Sequence, residues 1–372
     1  MAKDKLTTRA TRRKFLGGAA VAGVATIAMP QVSRAQTVTW KYQSTWPTKD
    51  IFHDDAVDYA KKVNDMSGGR LKLDVLAAGA VVPAFQMADA VHSGILEAGH
   101  GVCAYWYGKH KAYSLFGTPP SFGWDAHGML AWFYHGGGEA LYKELVNDIL
   151  KLNLTGFLYF PMPTQPLGWF KKEIKAGDDF KGMKYRTVGL SADLFKELGA
   201  AVTILPGGEI VPAMDRGLLD AAEFNNPSSD ILLGFPDVSK FYMMGSHHQQ
   251  MESFEIIFNK AKFDALPAEL KSILRYATMA ASSDQLWYSY DRYTKDFEEI
   301  KKRGVNIIKT GSKIYDDQIK AWDKVIEAQS KEPFFAKVIA SQKAWVKRTS
   351  AYLNTNNTPS AELEKAYKHF FG

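Results

Sequence analysis

A single cysteine in 372 residues, Cys103, rules out an intrachain disulfide, so the fold has to be held by packing. In the setting Val102-Cys103-Ala104, with no basic neighbour in sequence, it reads as a small buried hydrophobe and not as a nucleophile. HExxH, GxSxG, CxxC and the P-loop are absent, and no GxGxxG follows the first strand. Those gaps remove the common zinc-protease, serine-hydrolase, dithiol and nucleotide-binding chemistries. No internal repeat or low-complexity segment occurs either. What is plentiful is apolar material: 46% hydrophobic and 13% aromatic residues suffice for packed cores in two domains.

Basic charge is also scarcer than it looks. Residues 1–35 hold seven Lys/Arg against one acid, which accounts for the whole of the chain's formal +6 and leaves the remainder neutral. A basic-patch reading as a nucleic-acid or anionic-membrane binder therefore fails. Those residues contain Thr11-Arg12-Arg13-Lys14-Phe15-Leu16, a Gly/Ala-rich apolar run over 17–29, and Ser33-Arg34-Ala35 as a small-x-small cleavage site. A membrane anchor needs about 20 apolar residues with few glycines. The pattern reads instead as a twin-arginine export signal over 1–35, placing the protein in the periplasm.

After residue 36 the chain alternates strand and helix periodicity. A strand at 38–43 precedes a helix from Ile51 to Met66 capped by Asp50. A strand at 70–76, a helix opened by Val82-Pro83 that carries Phe85 to Ile95 and is broken by Gly94, and a strand near 97–101 follow. The aromatic, Pro-broken segment 104–122 follows a strand end, where loops line crevices, so Tyr105 and Tyr107 become candidates for a ligand wall. Pro161 to Pro166 looks like a hinge, and the alternation of 251–258 suggests a return crossing. Domain I is thus expected over 36–161 and 252–310, domain II over 162–251, and a helical region over 311–372, with one long helix from Ala268 to Arg303 running along both domains. The expected fold class is α/β, a two-domain periplasmic binding protein fold with a ligand cleft between the domains.

Residues 180–227 hold three short apolar runs alternating with two helical ones, the pattern of a parallel sheet whose ligands bind beyond the strand carboxyl ends. Arg186 closes the first run and Glu223 the third, near the turn Gly207-Gly208. A planar five-donor guanidinium suits bidentate carboxylate recognition. Glu223 needs a partner, which could be a metal or Arg186 itself. With an amide oxygen from Gln165, and possible help from Gln249, it makes a hard cation such as Na⁺ or Ca²⁺ chemically reasonable. His247-His248 and His53 read as solvated or capping groups, and Glu209 as a helix-start acid, more than as metal ligands or bases.

Several runs resemble the DctP family, the solute receptors of tripartite ATP-independent periplasmic (TRAP) transporters. They are Val82-Pro83 with Asp89-Ala90-Val91 and Gly94, Gln165 with Gly168-Trp169-Phe170-Lys171-Lys172-Glu173-Ile174, Phe180 to Arg186, and Gly207-Gly208-Glu209-Ile210 leading to Asp220-Ala221-Ala222-Glu223. The similarity spans the chain after the leader and is strongest to the 2-oxoacid branch. It implies a non-enzymatic receptor that passes a small organic acid, a 2-oxo or 2-hydroxy monocarboxylate, to TRAP membrane permease subunits. An aromatic or dicarboxylic acid, a sensor role, and a secreted lyase or hydrolase are the alternatives. The resemblance assigns Arg186 to the ligand carboxylate and Gln165, Glu223 and the Phe224 backbone to a Na or Ca ion, with no organic cofactor. Where that branch has Trp and small apolar residues after the Glu, this chain has Phe224-Asn225-Asn226-Pro227, so Asn225 is expected to add a polar contact to the ligand. The apolar stripe on 334–353 either folds onto its own subunit or pairs with a second copy, as helix-exchanging dimers of that branch do.

Overall fold

The computed structural model describes residues 37–372; the expected export signal over 1–35 lies outside the described residues. Among the described residues the strands are β1 Val38–Ser44, β2 Leu71–Leu76, β3 Ala98–Val102, β4 Leu154–Met162, β5 Gly168–Phe170, β6 Lys184–Arg186, β7 Ala201–Thr203, β8 Ala221–Ala222, β9 Phe241–Met244, β10 Glu252–Asn259 and β11 Asn306–Lys309. They form two sheets, ordered β2-β1-β3-β10-β4 and β11-β9-β5-β8-β6-β7. In the first, β1 pairs parallel with β2 and β3, while β10 runs antiparallel between β3 and β4. In the second, β6 lies parallel between β7 and β8, and β5 runs antiparallel to both β8 and β9.

Local chemistry explains the helices that flank these strands. Helix α1, Ile51–Met66, begins where the Asp50 carboxylate accepts from the Phe52 amide at 3.2 Å, and it buries Phe52, Tyr59 and Val63. Helix α2, Met87–Ser93, stops at Gly94 with φ +81°. Helices α3, Ala126–His135, and α4, Gly138–Lys143, are separated by Gly136 and Gly137. In the second half come α5, Ser191–Glu197, α6, Gly207–Asp215, and α7, Pro227–Leu233, the last capped by Asn226 with proline in its first turn. Helix α8, Ala268–Lys302, has 35 residues and at about 1.5 Å each is ~50 Å long. It packs on α1 and β4 of the first sheet's layer and on α7 of the second's, so it spans both.

The domain limits expected from sequence need two changes. β11 was expected with the first domain, but it pairs parallel with β9 in the second sheet, so the chain crosses a third time along α8. The expected C-terminal region 311–372 is also divided. Helix α9, Ser312–Gln329, packs on α5, whereas α10, Pro333–Asn356, packs on α3 and α4. Short strands set by pairing, such as β9 and β11, carry too little local signal to assign without their partners.

The two adjacent crossings leave from β4 and β10, which pair up to Met162 and Glu252. Just upstream, the ladder slips between Ser253 and Phe254, and Phe160 becomes a bulge residue with φ +54°. Its amide leaves the ladder and donates to Ser282 Oγ on α8 at 3.0 Å. Gly168 is required at the start of β5. Its φ is +134°, and a Cβ there would sit 2.5 Å from the Ala222 carbonyl oxygen of β8.

Candidate functional site

Because β6 and β8 are parallel neighbours with Arg186 opposite Ala222, the last residue of one strand meets the residue just after the other. Arg186 Nη1 donates to Glu223 Oε1 at 2.9 Å and to the Glu223 carbonyl at 3.0 Å. Nε and Nη2 both donate to the Leu205 carbonyl, at 2.8 and 2.6 Å. Four of the five guanidinium N–H groups are thereby engaged within the protein, leaving one on Nη2. The bidentate fork expected for a ligand is held by the backbone and by Glu223. Both side chains are essentially fully buried. Phe224 lies under the guanidinium, whose carbon is 5.7 Å from the ring centroid. Its ring also needs Gly207, since a Cβ there would fall 2.5 Å from Phe224 Cζ.

Beside this pair lies a buried amide–carboxylate network. Gln165 Nε2 donates to Glu252 Oε2 at 2.7 Å and Asn225 Nδ2 donates to the same oxygen at 2.9 Å. Asn225 Oδ1 accepts from Asn226 Nδ2 at 3.1 Å, so both ends of the amide expected to face a ligand are held by the protein. The Gln165 backbone N–H donates to the Gln249 carbonyl at 3.1 Å, which brings those two residues together. Glu252 was not picked out from the sequence. The available signal was two acids in the buried strand Glu252-Ser253-Phe254-Glu255, a place where a charge must have a partner.

Burial dominates the electrostatics. It pushes Glu223 up to about 7 despite the opposing effect of Arg186. Glu252 also rises to about 7 through burial, with Asn225 and Gln165 pulling the other way. Asp230, which accepts from Trp169 Nε1 at 2.8 Å, rises to about 6 for the same reason. Glu223 Oε2, Gln165 Oε1 and both polar side-chain atoms of Gln249, Oε1 and Nε2, are buried without a hydrogen-bond partner. Carboxylate and carboxamide oxygens of this kind are what a hard cation prefers, so the residues fit Na⁺ or Ca²⁺. Among the described residues no group of three His, Cys, Asp or Glu is arranged to hold a metal, so the amide oxygens are a necessary part of such a donor set.

The facing wall comes from the first sheet's layer. Tyr105 is buried with a partnerless hydroxyl, and its ring lies 5.6 Å from Trp46 and 4.8 Å from Phe85. Trp46 Nε1 donates to His100 Nδ1 at 2.8 Å, and Trp46 meets Phe224 across the cleft at 6.4 Å. Burial pulls His100 down to about 3, so it stays neutral and able to accept that bond. Tyr107 behaves differently from Tyr105: its hydroxyl donates to Asp193 Oδ2 at 2.8 Å, where Lys111 also binds at 3.1 Å. That cluster ties the two sides of the cleft together, as does Ser229 Oγ donating to Asp50 Oδ1 at 2.6 Å. His247 pairs with Gln250, His53 with Ser44, and the buried His248 with Ser246, while Glu209 is exposed in the first turn of α6.

Residues 42–337 match the family described as bacterial extracellular solute-binding protein, family 7. A monocarboxylate 2-oxoacid-binding periplasmic protein of Nostoc is 32% identical over 370 residues, covering 96% of this chain and 98% of that protein. Among solved structures, a TRAP periplasmic solute-binding protein of Colwellia psychrerythraea with bound calcium and pyruvate matches with TM-score 0.81 and 30% identity, over 90% of this chain and 100% of that one. A receptor of Pseudoalteromonas atlantica with bound sodium and pyruvate gives TM-score 0.81 and 30% identity, over 91% and 100%. A third, from Bordetella bronchiseptica, gives 0.83 and 25% over 90% and 98%; it is a mixed-occupancy dimer with copurified calcium and picolinate.

Proposed function

Since the chain belongs to the bacterial extracellular solute-binding family 7, the DctP receptors of TRAP transporters, we propose that it captures a 2-oxo or 2-hydroxy monocarboxylate together with a Na or Ca ion and delivers it to a TRAP membrane permease. The observation that carries this reading is the buried Arg186–Glu223 pair set beside partnerless oxygens of Glu223 and Gln165 at the closure of two α/β layers. Arg186 would meet the ligand carboxylate through its free Nη2 donor, with the Tyr105 hydroxyl as a second donor. Gln165, Glu223, the Phe224 carbonyl and Gln249 would hold the cation, whose charge offsets carboxylates that one guanidinium cannot balance. Phe224 would close the apolar side of the site. Asn225 would act by holding Glu252 in place, and Tyr107 by tying the cleft shut. No covalent step is involved. Residues 37–161 with 252–305, and 162–251 with 306–310, would move as the two closing domains.

Calorimetric titration with 2-oxo acids tests this. In Ca²⁺ or Na⁺ the acid should bind, and a ligand at 100 times its Kd should add ~2.7 kcal/mol of stability. After exhaustive chelation and replacement of Na⁺ by a bulky organic cation, the affinity should drop at least tenfold. Unchanged affinity would remove the ion from the site.

Export through the twin-arginine route follows from the motif at 11–16 in this reading. A homodimer is the second part of this reading, and it rests on the C-terminal helix. Helix α11, Ser360–Phe371, buries none of its residues, yet Leu363, Tyr367, Phe370 and Phe371 line one helical face. The first half of α10 covers its own stripe, burying Phe335, Val338 and Ile339 against its own subunit, so the uncovered face is displaced to α11. A second copy receiving that helix would cover it, as exchange of identical elements does at low cost. Light scattering should give a dimer for the full chain and a monomer, or insoluble protein, for a chain ending at Asn357. A monomeric full chain at micromolar concentration would refute the exchange.

A further inference from the structure

The cleft contains a chamber near the Arg186 end. Its volume is about 510 Å³, and its walls include Phe85, Tyr105, Tyr107, Val188 and Ile204, with Lys109 at the edge. Three links join it to the polar end. Tyr105 belongs to both, with its hydroxyl buried and partnerless and its ring edge-on to Phe85. Val188 comes two residues after Arg186, in the loop that follows the same strand. Ile204 directly precedes Leu205, whose carbonyl carries the guanidinium.

The chamber's chemistry is one-sided. Its walls are aromatic and aliphatic, and the charged group among them, the Lys109 ammonium, is ion-paired with Asp89. The neighbouring Lys111 is engaged by Asp193. Neither cation is left without a partner for a second carboxylate, and burying such a group unpaired would be costly. The volume is in the range of whole small-molecule sites, far more than the methyl group of a three-carbon oxo acid fills.

We propose that the preferred ligand is a 2-oxo or 2-hydroxy acid with an extended apolar side chain, branched aliphatic or aromatic, its carboxylate at the Arg186 end and its side chain between Tyr105, Val188 and Ile204. This rests on the acid-receptor reading above and goes on to select one class within it. Dicarboxylic acids are disfavoured because their far end meets apolar walls and paired lysines. Tyr107, held by Asp193, acts as a wall of the chamber.

The test is calorimetry in Ca²⁺ with pyruvate, 2-oxobutyrate, 4-methyl-2-oxopentanoate, phenylpyruvate and 2-oxoglutarate. Each buried methylene is worth about fourfold in affinity. The branched six-carbon acid should therefore bind at least tenfold tighter than pyruvate, and 2-oxoglutarate weaker than either. Ile204→Trp, at a position 40% exposed and so able to accept bulk, should abolish that gain while leaving pyruvate within threefold. Phe85→Ala should lower affinity for the long acids several-fold and spare pyruvate, which covers the case of a misfolded tryptophan variant. Equal affinity along the series, tighter binding of pyruvate, or variants that lose all acids equally would overturn the side-chain assignment and leave the receptor reading standing. Absence of binding by every acid, pyruvate included, would overturn both.

Discussion

Arg186→Ala is expected to abolish measurable acid binding and to lower the melting temperature on the order of 10 °C. Two effects add. The ligand loses its cationic partner, and Glu223, fully buried at 2.9 Å from the guanidinium, is left with no opposite charge. Removing one partner of such a pair typically costs about 3–5 kcal/mol, and a chain of this size loses roughly 2–4 °C per kcal/mol. The Leu205 carbonyl, which accepts two of the guanidinium bonds, is orphaned as well. Arg186→Lys should not rescue, because an ammonium cannot span Leu205 and Glu223 together. The double variant Arg186→Ala with Glu223→Gln separates the two effects: it should regain most of the stability and none of the binding. An affinity within threefold of the unmodified protein in Arg186→Ala would take this residue out of the site.

In chelator, the protein should become less stable as pH rises from 5 to 8, the reverse of ordinary carboxylate behaviour. Glu223, Glu252 and Asp50 are each pushed up to about 7 and Asp230 to about 6, in every case chiefly by burial. Unfolded carboxylates titrate near ~4. Between about pH 4 and pH 7 the folded chain therefore keeps protons that the unfolded chain has released, and stability falls with pH across that window before levelling off above it. For one such glutamate the full effect is on the order of 3 kcal/mol. Ca²⁺ at Glu223 would favour the ionised form and flatten the slope. Urea denaturation at pH 5 and pH 8, with and without Ca²⁺, measures this. Stability that climbs with pH in chelator would mean that these carboxylates are ionised and satisfied without a cation.

What could be read in advance was what is encoded locally. Asp50 before Ile51 and Gly94 after Ser93 mark helix ends through one side chain and one φ angle. Arg186 and Glu223 stood out because a charge ending a short apolar run has to be explained. The features that escaped depend on partners far away in sequence. Tyr107 is committed to Asp193, 86 residues on, and Asn225 to Glu252, 27 residues on. Nothing near Tyr107 announces that its hydroxyl is spoken for, and at Asn225 only the oxygen is held locally, by Asn226. Glu252 shares the parity of Phe254, Ile256 and Phe258, so alternation puts it on the core face, but its partners Gln165 and Asn225 are 87 and 27 residues away in sequence. β11 fits either sheet by composition, and only its parallel pairing with β9 decides.

The two crossing segments leave the first sheet side by side, at Met162 and Glu252, with the Phe160 bulge just upstream. Gln165 and Gln249 lie within three residues of those exits, so the proposed cation ligands are at the pivot of the jaws and not at their tips. An ion there has little leverage over the mouth, where Asp193 clasps Tyr107 and Lys111. Gln165, Glu223, Phe224 and Gln249 all lie within 162–251, so on the proposed reading the ion would stay with that domain when the jaws part. Opening on that reading would part the acid from Tyr105 on the other domain and leave the ion's ligands together, so acid and ion would leave the receptor in separate steps.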